Sequence, residues 1–80
     1  MAIRMQRLPV VLDGNGDSRS THYLNISKGL WTRPVKIGAR SSAWPEHENE
    51  AINAARLAGK TEDEIRALVI ELEASRKAVI

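Results

Sequence analysis

The sequence predicts a mainly α-helical fold carrying one small two-stranded β-hairpin. Three observations predict it. Apolar residues recur at helical spacing in four short segments, each opened by a capping residue or proline or closed by glycine. One stretch, Val35-Lys36-Ile37, alternates apolar and basic residues and is broken by Gly38, as a short strand and its turn are. With 80 residues, three aromatic side chains and no phenylalanine, the chain has material for one small, aliphatic core.

Leu8-Pro9-Val10-Val11-Leu12 is the first helix, of one to two turns. Its proline stands near the start, where a missing N–H costs nothing. Gly14-Asn15-Gly16 stops it, because glycine and asparagine tolerate positive φ. Ser18 is the natural cap of the second helix, Arg19 to Lys28, which Gly29 ends. Tyr23 and Ile26, three apart, form its inner stripe together with His22. The hairpin follows, with Val35-Lys36-Ile37 as one strand and Ser42-Ala43-Trp44 as the return. A lone hairpin is barely stable in water, so it must pack on the helices, with Trp31 and Trp44 as anchors. Pro45-Glu46 opens a third helix whose apolar face is Ala51, Ile52, Ala55 and Ala58, and Gly59 ends it. Glu46, Glu48 and Glu50 lie near its positive end, where each anion is stabilised by ~0.3–1 kcal/mol. Thr61 and Glu64 form a capping box for a fourth helix, Glu62 to about Lys77, with Ile65, Leu68, Val69, Leu72 and Val79 at helical spacing.

Charge divides the chain. Residues 1–44 hold seven basic and two acidic groups, a net of +5, while residues 45–80 hold five basic and eight acidic, a net of −3. The basic half is the candidate surface for a polyanion; chance clustering of solvated charge is the competing account. The chain has no cysteine, which excludes disulfides, cysteine-ligated zinc and a thiol nucleophile and fits a cytoplasmic location. No apolar run reaches the ~20 residues that span a bilayer, so no membrane association is expected. The basic N-terminal segment lacks the apolar stretch of a secretory signal. His22 and His47 are far apart in sequence, so no metal is expected. Ser18, His22 and Asp13 lack any visible oxyanion loop, and Gly14-Asn15-Gly16 lacks the lysine of a phosphate loop. No enzymatic activity and no cofactor are expected.

The segment Ser18-Arg19-Ser20-Thr21-His22-Tyr23 carries the functional signal. At the start of a helix it presents an arginine, hydroxyls and free N–H groups, which bind phosphates and base edges. A short helix and a glycine turn precede it, so the unit reads as a helix-turn-helix. An ordinary capped surface helix would look similar.

Taken together, Ser18-Arg19-Ser20-Thr21-x-Tyr23, Gly29, Pro34-Val35-Lys36-Ile37-Gly38-x-Arg40 and Trp44 resemble the AlpA family of small prophage-associated, excisionase-like regulators. The resemblance runs from residue 8 to about 55. It implies a winged helix-turn-helix over residues 1–58 that binds double-stranded DNA and regulates transcription or phage-type recombination. Residues 59–80 lie beyond the family pattern and are expected to be a helical extension for docking or dimerisation. The resemblance places Ser18, Arg19, Ser20, Thr21 and Tyr23 at the start of a recognition helix in the major groove. Lys28, Lys36 and Arg40 would hold phosphates, with the wing turn beside the adjacent minor groove. Arg40 has a rival role in an ion pair with a helix carboxylate. The chain departs from the family pattern at Val10, Asp17, His22, Leu24, Asn25 and Thr32. Leu24 stands where a basic residue is frequent.

One such module touches few base pairs, so a homodimer, a cooperative array or a recombinase or transcription partner is expected on the DNA. A nucleoid-associated location follows. The competing function is a non-enzymatic adaptor that uses the acidic helices to bind protein.

Overall fold

The computed structural model describes residues 3–79, and the backbone alone of residues 78 and 79. Residues 1 and 2 of the basic N-terminal segment and the side chain of Val79 lie outside the described residues. Seven regular elements precede a final turn. They are β1 (Met5–Gln6), α1 (Leu8–Asn15), α2 (Arg19–Ser27), β2 (Val35–Lys36), β3 (Ser42–Pro45), α3 (Glu46–Leu57) and α4 (Glu62–Ser75), with a 3₁₀ turn over Arg76–Val79. The chain is therefore mainly helical, with one small antiparallel sheet.

That sheet has three strands, not two, in the order β1-β3-β2. Val35 pairs with Ala43 and Lys36 with Ser42, which is the expected hairpin. Met5 pairs with Pro45 and Gln6 with Trp44 on the other side of β3. The Glu46 N–H donates to the Arg4 carbonyl at 2.7 Å, extending the pairing into the start of α3. A two-residue strand has no alternation to read, so β1 leaves no trace in the hydropathy pattern.

Helix α1 runs through Gly14 and ends at Gly16, whose φ of +76° lets its N–H reach the Leu12 carbonyl at 2.9 Å. The stop falls within the expected Gly14-Asn15-Gly16; Gly14 itself stays helical, because a glycine inside a helix costs only about 1 kcal/mol. Helix α2 ends as expected. Gly29, at φ +78°, donates to Ile26, and Leu30 donates to Asn25 at 2.8 Å. These are the two hydrogen bonds of a Schellman cap. The capping box of α4 is present in both directions, Thr61 to Glu64 and back. That helix ends at Ser75, short of the expected Lys77.

The core is Val11, Trp31, Trp44, Ile52, Ile65 and Val69, with Leu8, Ile26, Leu30, Ala55, Leu68 and Leu72 packed around it. It is not purely aliphatic. Two indoles sit at its centre, and each N–H has a partner: Trp31 Nε1 donates to Asn49 Oδ1 at 3.1 Å, and Trp44 Nε1 to the Thr32 carbonyl at 2.9 Å. Satisfied indoles can be buried whole. Asn49 in turn donates to Gln6 Oε1 at 2.9 Å, which ties β1 to α3.

Helix α4 packs against the same body through Ile65 and Val69. Polar ties hold its length. Arg66 Nε donates to the Lys28 carbonyl at the end of α2, 2.8 Å away. At the far end Arg76 forms a two-pronged pair with the fully buried Glu48, at 2.6 and 2.8 Å. The same turn clamps the lead into the hairpin. Glu73 accepts from the Arg33 N–H at 2.8 Å, and Arg76 donates to the Arg33 carbonyl at 2.7 Å. Among the described residues no helix is long and apolar enough to cross a membrane.

Candidate nucleic-acid interface

The turn between α1 and α2 is organised by two side chains. Asn15 Oδ1 accepts from the Asp17 N–H at 2.9 Å, so the Asn15 amide nitrogen faces Nδ1 of His22 at 3.3 Å. Asp17 receives Asn25 at 3.4 Å and both outer nitrogens of Arg56 at 3.3 and 3.4 Å. An aspartate at a position where the family pattern is apolar thereby joins the turn to α2 and α3. The next residue, Ser18, caps α2: its hydroxyl accepts from the Thr21 N–H at 3.2 Å and donates to the Thr21 hydroxyl at 3.0 Å.

His22, Asn25 and Ile26 face the body, and His22 is 0% exposed. Its ring meets Trp31 and Trp44 edge-on, with centroids 5.4 and 5.0 Å apart. Asn15 occupies Nδ1, so the ring proton belongs on Nε2, which is buried with no partner among the described residues. Burial pushes the His22 pKa below its ordinary 6.5, and Arg56 adds to the effect while Asp17 opposes it. Here the expected inner stripe is corrected. Tyr23 is 42% exposed, not packed beside Ile26. An imidazole that fills the gap between two indoles sets the rotation of the helix, and a stripe with so few apolar residues cannot set it alone.

The outward face follows from that rotation. Ser20, Leu24 and Ser27 lie at i, i+4 and i+7 and share the exposed crest. Arg19 and Tyr23 flank it on one side, the guanidinium 5.8 Å from the ring centre. Thr21 and Lys28 flank it on the other. On the separate hairpin, the Ile37 N–H donates to the Ser41 carbonyl at 3.0 Å, closing a tip of Gly38, Ala39 and Arg40. Lys36 precedes that tip.

All eight residues singled out in the sequence are exposed: Ser18, Arg19, Ser20, Thr21, Tyr23 and Lys28 on or beside α2, and Lys36 and Arg40 on the hairpin. No aspartate or glutamate occurs between residues 18 and 44. Every salt bridge among the described residues uses Arg56, Arg66 or Arg76. Arg40 therefore has no carboxylate partner there, and the ion pair that rivalled its other role is not formed. The residues that sequence reasoning missed are those that aim α2: Asn15, Asp17 and Arg56. Asn15 ends α1, Asp17 stands in the turn after it and Arg56 is 39 positions from its partner, so only the polar character of residues 15–18 signalled them. Among the described residues no three His, Cys, Asp or Glu side chains come together as metal ligands.

The chain is similar to a small phage-encoded protein. Uncharacterized protein ORF88 of Enterobacteria phage P4 is 40% identical over 57 residues, which is 71% of this chain and 65% of that protein. This chain thus covers a little under two thirds of its relative's length. No family model matches the sequence, so the AlpA resemblance rests on the motifs alone. No solved structure matches it.

Proposed function

We propose that this protein is a non-enzymatic, sequence-specific DNA-binding protein of AlpA type, a winged helix-turn-helix acting as a phage-type transcriptional regulator or excisionase-like recombination factor. In this reading α1 and α2 are the helix-turn-helix, and α2 enters the major groove. The β2–β3 hairpin is the wing, which lies along the neighbouring backbone or minor groove. Arg19 reaches a guanine edge or a phosphate. Ser18, Ser20 and Thr21 contact phosphates or bases, Tyr23 gives its hydroxyl to the backbone, and Lys28, Lys36 and Arg40 hold phosphates.

The observation that carries the reading is the exposed, cationic exterior of residues 18–44, whose five cations form no salt bridge among the described residues. Likeness to a phage protein is in keeping with it. The test is a gel-shift titration at several salt concentrations, followed by selection of bound duplexes from random sequence. Specific binding that weakens steeply with salt is expected, since each neutralised phosphate releases counterions. A shift absent at low salt overturns the reading. In that event the adaptor alternative gains, and it has its own observation: Leu57 and Ile70, on the acidic helices, stand 91% and 70% exposed.

A further inference from the structure

We infer that Leu24 reads a thymine methyl group, so that the target carries a required thymine beneath the middle of α2. The inference rests on the DNA-binding reading above and deepens it. Leu24 is 51% exposed at the centre of the outward crest of α2. Its neighbours along that crest, Ser20 and Ser27, are short, and the Ser27 hydroxyl is turned back onto the Leu24 carbonyl at 2.7 Å. Leucine is therefore the largest side chain of the three on the crest and the one apolar group there that a surface laid across it would meet.

The occupant is set by charge. Arg19 and Lys28 flank the crest, neither paired with a carboxylate among the described residues, and the whole exterior of residues 18–44 is cationic or neutral. A polyanion fits that surface, and a purely apolar protein face has no such complement. In the major groove of a duplex the largest apolar feature is the C5-methyl of thymine; apart from the small C5–H of cytosine, the groups that tell the bases apart there are hydrogen-bond donors and acceptors. An isobutyl side chain makes no hydrogen bond, so it discriminates by burying that methyl and by leaving polar base edges unpaired at other bases.

The test compares duplexes selected by the wild-type protein from random sequence with the same duplexes carrying deoxyuridine for thymidine at one position at a time. Uracil keeps every hydrogen-bonding group and every phosphate and loses only the methyl. At one thymine the wild-type affinity should fall about fourfold, the worth of burying one methyl group. Leu24→Ala, at an exposed site that leaves the fold intact by circular dichroism, should bind about as weakly to both duplexes and lose the distinction. Insensitivity to uracil at every thymine overturns the inference, and so does an equal uracil effect in Leu24→Ala or a selection that enriches no thymine. In those cases DNA binding itself still stands. Absence of any binding removes the parent reading and this inference together.

Discussion

Residues 18–44 and residues 45–80 each carry five cationic side chains, and the fold uses them in opposite ways. In the second stretch eight carboxylates are at hand; Arg66 and Arg76 pair with Glu62 and Glu48 among them, and Arg56 pairs with Asp17, just ahead of the first stretch. Those arginines join elements: Arg56 holds the turn before α2, Arg66 caps the end of α2, and Arg76 anchors α4 to α3 and to the strand leading into the hairpin. In the first stretch no carboxylate is present, and its five cationic side chains are exposed on a body that the second stretch braces. The contrast separates charge that serves folding from charge left over for a partner. A net charge of +2 for the whole chain hides both.

The largest expected effect breaks the bracing side. Arg76→Ala leaves Glu48 fully buried without its cation, and removing one partner of such a pair costs about 3–5 kcal/mol. In a domain of this size that is a large share of the stability. Urea denaturation should show it as a large drop in the midpoint. Arg76→Met combined with Glu48→Leu should recover much of the loss, since apolar groups of similar volume carry no unpaired charge. A single variant as stable as the double one would show that the pair does not brace the fold.

On the other side of the comparison, Arg19→Ala should leave stability unchanged and weaken specific DNA binding by ~1–3 kcal/mol, with Thr21→Ala at the lower end of that range. Competition between a selected duplex and random duplex reads the difference. Equal losses on both would reassign Arg19 from base reading to phosphate holding.

The next effect lies where the two sides meet. His22 is buried with a lowered pKa, so the unfolded chain takes up a proton near 6.5 while the folded chain resists it. The stability contributed by neutral His22 is fully present above that pH. It is lost as pH falls from about 6.5 through the lowered native value. One proton gives a slope no steeper than about 1.4 kcal/mol per pH unit. Thermal unfolding between pH 7 and 5 should show the decline in the wild type and lose most of it in His22→Leu. A decline that survives in that variant would belong to other groups.

Features written in a few adjacent residues were legible in the sequence. Ser18 and Thr61 as caps, Glu64 as the returning carboxylate and Gly29 as a helix stop each depend on one turn of backbone, so local chemistry decides them. The rotation of α2 was not legible, because the environment that selects His22 over Tyr23 is built by Trp31, Trp44 and Asn15 from three other segments. The Arg76–Glu48 pair spans 28 positions, and each member alone reads as a solvated helix residue. Strand β1 exists because β3 offers it an edge. The exposure of the candidate residues was legible for a related reason: polar side chains on a capped helix start and a hairpin tip need no partner from a distant segment.

The smallest expected effect compares one lysine from each stretch. Lys36 lies on β2 beside the hairpin tip, in the carboxylate-free region, and Lys60 lies in the turn between α3 and α4; both are exposed. Lys36→Ala should lower affinity for selected and random duplexes alike and reduce the slope of log affinity against log salt by about 1, as expected for one lost phosphate contact. Lys60→Ala should leave the slope where it was, although it removes the same charge from the chain. Net charge alone predicts equal effects from the two substitutions, because each removes one positive charge from the chain. Contact with phosphate does distinguish them. Two equal slopes would mean that DNA is held by a diffuse field and that the hairpin has no defined place against it.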